Sequence, residues 1–349
     1  MLMHLFSSAM HAAETGKLPD SVVRLGIRKL LNKRLQQIGS GGPEDRNSRF
    51  RRFVEDCGDG PIAVVPELAN EQHYEVPAEF FKTVLGPRLK YSCCHFPDAR
   101  TTLDEAEESA LNITCERAGL QDGMEILELG CGWGSLSIWM AERYPNATIQ
   151  SVSNSASQRP HIEQQATERG LSNLKVVTAD MNDFLTDKQF DRVVSVEMFE
   201  HMRNHQKLMQ RVSTWLNPSG RVLVHIFCHR SEPYLFESTG PQDWMARHFF
   251  SGGMMPSADL LLRYQRDLSI VDHWHWGGKH YERTCNEWLM KQDTATDQLR
   301  EMFANTYGSD QVDVWLNRWR IFFISCAELF GHNDGQEWWV SHYLFERRG

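Results

Sequence analysis

A short apolar run at residues 124–129 ends in Gly130-Cys131-Gly132-Trp133-Gly134, and a helical pattern opens directly after it. This strand–glycine–helix passage constrains the fold more than any other feature of the chain. Glycines at that spacing let the backbone turn tightly and approach a ligand with no Cβ in the way. Further runs rich in Val, Ile and Leu follow at 147–152, Leu174–Thr178, Phe190–Val196 and 221–227, with helical stretches between them. Strands alternating with helices predict a doubly wound α/β fold, a parallel sheet covered on both faces. Leu268–Trp276 and 338–345 read as two late strands, with a helical region at about 283–330 between them.

Residues 1–67 read as a helical N-terminal extension and linker. Residues 68–349 read as the main domain, of which about 230–335 includes a substrate-covering region. In the extension, Val22, Val23, Ile27, Leu30, Leu31 and Leu35 recur at helical spacing. Between Arg24 and Arg52 stand nine Lys or Arg against Glu44 and Asp45, in a chain of net charge −9. That patch is either a solvated helix face with an Arg-rich loop or a peripheral contact to anionic lipid headgroups. The acidic balance of the whole chain argues against nucleic-acid binding. No window approaches 18 consecutive apolar residues, so no transmembrane helix is expected. The first twenty residues lack the basic start and apolar block of a secretory signal. The eight cysteines show neither a CxxC pair nor zinc spacing, which predicts reduced thiols in a cytoplasmic protein. A homodimer stays open at this level.

The glycine loop carries a ligand expectation. A dinucleotide fingerprint places its third glycine three positions after the second, where this chain has Ser135. Here the spacing is G-x-G-x-G, with Glu128 two positions before Gly130. S-adenosylmethionine (SAM) suits this pattern, because its ammonium and sulfonium favour a nearby carboxylate and it has no pyrophosphate to cradle. The alternative is a purely structural turn. The second strand ends Ser151-Val152-Ser153-Asn154-Ser155, without the acid that usually meets the ribose hydroxyls, so Gln158 is the local substitute. Asp180, after the third strand, sits where a loop meets adenine. Gln158 and Asp180 read equally well as turn or cap residues.

Glu197, Glu200 and His201 follow directly on the strand at 193–196. In an open parallel sheet the carboxyl ends of the strands face the ligand crevice. A His beside carboxylates can accept a proton from an amine nucleophile or order the water that does. The carboxylates are expected to raise the His201 pKa by favouring its charged form. Acids at a helix N-terminus are also explained by the helix dipole alone. His273 and His275 alternate on one strand face but lack a third ligand, so no metal is expected. Trp244, Phe249, Phe250, Trp274, Trp276, Trp288, Trp338, Trp339 and Tyr343 read mostly as core, with a subset able to box a cationic substrate. Gly252-Gly253-Met254-Met255-Pro256 reads as a mobile loop beside them.

Several segments together are similar to the coclaurine N-methyltransferase family, within the wider cyclopropane-fatty-acid-synthase-like methyltransferases. They are His73-Tyr74-Glu75-Val76-Pro77, Tyr91-Ser92-Cys93-Cys94, Glu128 to Gly134, Glu197-Met198-Phe199-Glu200-His201-Met202, Asp272-His273-Trp274, His280-Tyr281 and Glu337-Trp338. The resemblance implies a class I SAM-methyltransferase sheet, mostly parallel with an antiparallel last strand. It implies that Tyr91 and Ser92 meet the SAM carboxylate end and that Gly130 and Gly132 line its methionine part. Asn154 and Gln158 would sit at the ribose, and Asp180 and Met181 near adenine. Glu197, Glu200 and His201 would stand beside the methyl group, with Tyr74 and Glu75 in a flap over the substrate. The cyclopropane synthases hold a bicarbonate ion with a Cys, a Glu-His pair and a Tyr, matched here by Cys93, Glu200, His201 and Tyr281. The expected activity is N-methylation of a small aromatic amine, with His201 as base. The alternative is methylation or cyclopropanation of unsaturated acyl chains in a phospholipid. A SAM-binding protein without catalysis is the third reading.

Overall fold

The computed structural model describes residues 2–64, 77–238, 240 and 243–348. Its frame is a seven-stranded sheet in the order β3-β2-β1-β4-β5-β9-β8. The strands are β1 (Glu125–Leu129), β2 (Thr148–Ser153), β3 (Leu174–Thr178), β4 (Phe190–Val196), β5 (Leu216–His229), β8 (Leu268–Trp276) and β9 (Trp338–Arg347). β1 to β5 pair parallel. β9, the last strand in the chain, runs antiparallel between β5 and β8. Its placement makes this the class I SAM-methyltransferase sheet.

The central strands β1 and β4 bury consecutive residues, Ile126–Leu129 and Val193–Ser195, rather than alternate ones, because the sheet is covered on both faces. The strand order reverses between β1 and β4. The crevice at such a switch point, beyond the carboxyl ends of the strands, is where open α/β sheets bind ligands.

Helices cover the sheet. α1 (Leu2–Glu14), α2 (Asp20–Ile38) and α3 (Pro43–Gly58) precede it. α4 (Ala78–Val84) and α5 (Leu103–Ala118) lead into β1; α6 (Ser135–Arg143) and α7 (Gln158–Glu168) flank β2, and α8 (His205–Trp215) leads into β5. After β5 come β6 (Tyr234–Leu235), the short α9 (Trp244–His248) and β7 (Met254–Met255). Between β8 and β9 run α10 (Lys279–Thr294), α11 (Thr296–Tyr307) and α12 (Val312–Gly331). Phe80, Phe81, Trp288, Trp319 and Phe323 form the aromatic centre of this helical layer. α2 has no fully buried residue and lies on α12 through Arg24 and Arg28, both bonded to Glu328, and through Asp20, bonded to Arg320.

One expectation is corrected. Residues 252–256 are not the mobile loop that their glycines suggest, because Met254 and Met255 are buried and pair antiparallel with Tyr234 and Leu235. That pairing is non-local, so nothing in the local composition shows it. Among the described residues, no helix is long and apolar enough to cross a membrane, and no group of side chains could hold a metal ion.

Candidate active site

A cleft of about 740 Å³, partly open to solvent, lies over the carboxyl ends of β1, β2, β3 and β4. Gly130 and Gly132 line it from the β1 loop, Asn154 and Gln158 from beyond β2, and Asp180 and Met181 from beyond β3. Glu197, Met198 and His201 close it from beyond β4, and Ala63 and Ser251 reach it from outside the sheet. Gly130 has φ +82°, and a Cβ there would stand 2.6 Å from the Met198 Cβ. Gly132 has φ +52°, and a Cβ there would meet nothing within 4 Å. Gly132 therefore presents bare backbone to open space, as a ligand cradle requires, while Gly130 makes room for Met198.

The rest of the motif supports this loop from behind. Glu128 does not line the cleft. Its buried carboxylate accepts hydrogen bonds from the Ser137 and Ser151 hydroxyls, tying β1 to α6 and β2. Burial raises its pKa to about 7 against the lowering effect of those hydroxyls. Gly134 also stands outside the cleft, where a Cβ would clash with Ile162 of α7. Gln158 Oε1 accepts from Ser153 Oγ at 2.5 Å, while its buried Nε2 has no partner and belongs to the cleft wall. A buried unpaired donor in a cavity wall is a place for a ligand acceptor. The Asp180 carboxylate accepts from the Asn182 amide at 2.7 Å, so it closes a turn as well as lining the cleft.

Tyr91, Ser92 and Cys93 lie behind this wall. Tyr91 packs on Phe81 and Trp288, and Ser92 Oγ accepts from Lys90 Nζ at 2.6 Å. The expected flap residues Tyr74 and Glu75 lie outside the described residues.

Glu197 is the convergence point. It adopts φ +49°, rare for a non-glycine residue and tolerated only where its surroundings hold it. Its side chain is 8% exposed. Oε1 accepts from the Cys93 amide at 2.9 Å and lies 3.1 Å from His225 Nε2. Oε2 accepts from the Tyr281 hydroxyl at 2.5 Å. Burial alone would raise the Glu197 pKa, but His225, through its bond and through its charge when protonated, the Lys90 charge and the Tyr281 bond outweigh it and hold the pKa below the usual value. Glu197 is ionised, so His225 Nε2 carries the proton in that bond. Burial pushes the Cys93 thiol and the Tyr281 phenol well up, and both stay neutral.

The expectation for His201 is corrected. Its pKa is lowered to about 4, because desolvation outweighs the attraction of Glu197. The second carboxylate that was expected to help is not charged. Glu200 is fully buried, its side chain makes no hydrogen bond of ordinary geometry, and burial plus the Glu197 charge raise its pKa well above normal. The backbone amides of Glu200 and Phe227 only partly offset this. His201 is thus neutral at pH 7 and lines the cleft, with its ring 4.6 Å from Phe250. Glu200 sits behind it as a neutral acid.

Two residues of this cluster had no signal in the sequence. Lys90 is an isolated cation before the Tyr91-Ser92 motif, and His225 is a lone His in an apolar strand. The inward face of β5 at a carboxyl end was the available hint for His225.

The chain matches the family described as mycolic acid cyclopropane synthetase over residues 66–338. It is 37% identical to (S)-coclaurine N-methyltransferase of Thalictrum flavum subsp. glaucum, over 96% of this chain and 94% of that one. It is also 37% identical to (S)-tetrahydroprotoberberine N-methyltransferase of Eschscholzia californica, over 95% and 96% of the two chains. A crystal structure of coclaurine N-methyltransferase bound to N-methylheliamine and SAH superposes with a TM-score of 0.95 at 36% identity, covering 98% of this chain and 99% of that one. With this sheet, this glycine cradle and these relatives, the chain belongs to the coclaurine N-methyltransferase-like family, within the cyclopropane-synthase-like class I SAM-dependent methyltransferases.

Proposed function

We propose that this protein N-methylates a secondary or primary amine on a small aromatic, benzylisoquinoline-like molecule. The observation that carries the reading is a buried, ionised Glu197 lining the cleft beside a neutral His201. A fixed carboxylate in a low-dielectric wall favours a cationic nitrogen far more than it would in water. The relatives named above act on amines, and the solved neighbour holds a methylated amine together with SAH.

The cradle fits the cofactor. Gly130 and Gly132 would lie along its methionine part, Gln158 Nε2 and Asn154 would meet the ribose, and Asp180 and Met181 the adenine. Bound SAM supplies an electrophilic methyl group on a sulfonium. The chain's own residues do the rest. Glu197 holds the amine nitrogen and offsets the positive charge that builds on it. The neutral His201 imidazole accepts the proton that nitrogen must lose, a step worth about 10²–10⁴ in rate. Met198 and Met202 give the cleft an adaptable apolar wall, and Phe250 adds an aromatic face beside His201.

The bicarbonate-assisted lipid chemistry fits less well. The Cys93 amide and the Tyr281 hydroxyl already donate to Glu197, whose carboxylate stands where an anion would be held.

The test supplies methyl-labelled SAM, a mixture of benzylisoquinoline and simple aromatic amines, and unsaturated phospholipid vesicles, with mass-spectrometric readout. Label on an amine nitrogen is the expected result, with kcat/KM reduced by about 10²-fold or more in Glu197→Gln. Label confined to acyl chains overturns the amine reading.

A further inference from the structure

Lys90 is 3% exposed, in the segment between α4 and α5. Its ammonium donates to Ser92 Oγ at 2.6 Å and to the Cys93 carbonyl at 2.7 Å. The amide of Cys93 in turn donates to Glu197. The backbone around Lys90 is itself clamped by the buried Glu107 of α5. That carboxylate accepts from the amides of Gly86 and Lys90, both at 3.1 Å, and of Arg88 at 2.7 Å. A continuous set of contacts thus runs from α5 through Lys90 to the carboxylate in the cleft.

Burying an ammonium is costly unless its charge and donors are satisfied. Two neutral acceptors satisfy donors but not charge. The buried acids near it are Glu107 and Glu197. Burial pushes the Glu107 pKa up to about 7 despite its three amides and the Lys90 charge, so it is an incomplete partner. Glu197 is the one held ionised. The other groups facing Glu197 are His225 of β5, Tyr281 and Cys285 of α10, Cys93, and Glu200 and His201 of the following turn. Burial keeps the two imidazoles, the phenol and the thiols neutral, and Glu200 repels Glu197 when ionised.

We infer that Lys90 is a positioning residue of this site: it clasps the turn that presents the Cys93 amide to Glu197, and it supplies the buried positive charge that balances that carboxylate. The inference rests on the amine reading above and deepens it. Glu197 alone would take up a proton as its pocket dried. With Lys90 behind it, Glu197 stays charged, and a cationic nitrogen entering from the cleft side completes a three-charge set. Lys90 never touches the substrate.

The experiment measures binding of N,N-dimethyl-tetrahydroisoquinolinium, a permanent cation, by calorimetry with SAH present, between about pH 5.5 and about pH 9. Because the probe does not titrate, its pH dependence reports the protein. Lys90→Met is expected to bind about tenfold more weakly than wild type at about pH 5.5, where removal of the buried charge leaves about nine in ten Glu197 carboxyls protonated, and the loss shrinks as pH rises. Near pH 9, where Glu197 is ionised in both, the variant binds equally or more tightly, since the ammonium no longer repels the probe. Lys90→Arg keeps the wild-type curve. A Lys90→Met loss that is the same at every pH, or no loss at all, overturns the inference. If Lys90→Met does not fold, Lys90→Gln, which keeps a donor and removes the charge, carries the same expectation. If wild type does not bind the cation, the amine reading fails by itself, and Lys90 is judged by infrared titration. The protonated-carboxyl band that Glu197→Gln removes must then appear at higher pH in Lys90→Met than in wild type, and an unshifted band overturns the inference.

Discussion

At Gly130 and Gly132 the backbone requirement and the ligand requirement coincide. Both hold positive φ, and only Gly130 has a side chain packed against it. Gly130→Ala therefore forces Met198 aside and strains the turn, and about tenfold weaker SAH binding is expected by calorimetry, the equivalent of about 1–2 kcal/mol for an alanine in this conformation. Gly132→Ala has space but not the φ, and it should cost less. His201 poses a different question. With its pKa near 4 it stays neutral across the working range. His201→Asn should lower kcat by about 10²–10⁴ by the same factor from about pH 6 to about pH 9. A gap that narrows as pH falls through about 6.5 would show instead that His201 charges there.

Elements differ in how they are held. α5 is fixed by a capping box, in which Thr102 and Glu105 satisfy each other's backbone amides, and by Glu107, which anchors the preceding loop. α2 has no fully buried residue: Val23, Ile27, Leu31 and Leu35 pack half-buried on the helical core, and Glu328 of α12 ties the helix down by accepting from Arg24 at 2.9 Å and from Arg28 at 2.5 Å and 3.1 Å. Glu328→Ala leaves two guanidinium groups against an apolar helix. It should cost about 1–2 kcal/mol in denaturant unfolding, given that both arginines are partly solvated. It should also expose α2 to limited proteolysis while leaving kcat/KM unchanged, because these contacts lie away from the cleft. The same pairing engages part of the basic surface that the N-terminal extension carries.

At the scale of the whole molecule the buried and half-buried histidines set the response to acid. His201, His205, His225, His248, His273 and His280 are all pushed down to about 4, in each case chiefly by burial. A His with a lowered folded pKa binds its proton in the unfolded chain first. Its contribution is therefore present above about 6.5 and is lost as pH falls toward 4. Glu107 and Glu128, raised to about 7, and Glu200 act in the opposite sense and are fewer. The melting temperature should be highest near pH 7 to 8 and fall by roughly several degrees between about pH 6.5 and about pH 4.5. A melting temperature that rises on acidification would mean that the carboxyls dominate.

The strand–glycine–helix passage, the order of later strands and the acids after β4 were legible in the sequence, because each depends on a local pattern: period, glycine spacing, or position at a strand end. The family likewise rests on short segments in a fixed order. The partners and charge states in the cleft were not legible. Cys93 and Glu197 stand 104 residues apart, and Tyr281 lies 84 beyond Glu197. Whether Glu197 is charged, Glu200 protonated or His201 neutral depends on how much water the packed helices exclude and on a lysine that no motif marks. Spacing along the chain brought three ionisable groups to one edge of the sheet; only the tertiary structure decided which of them carries charge, because desolvation and charge–charge energies depend on burial and distance in space.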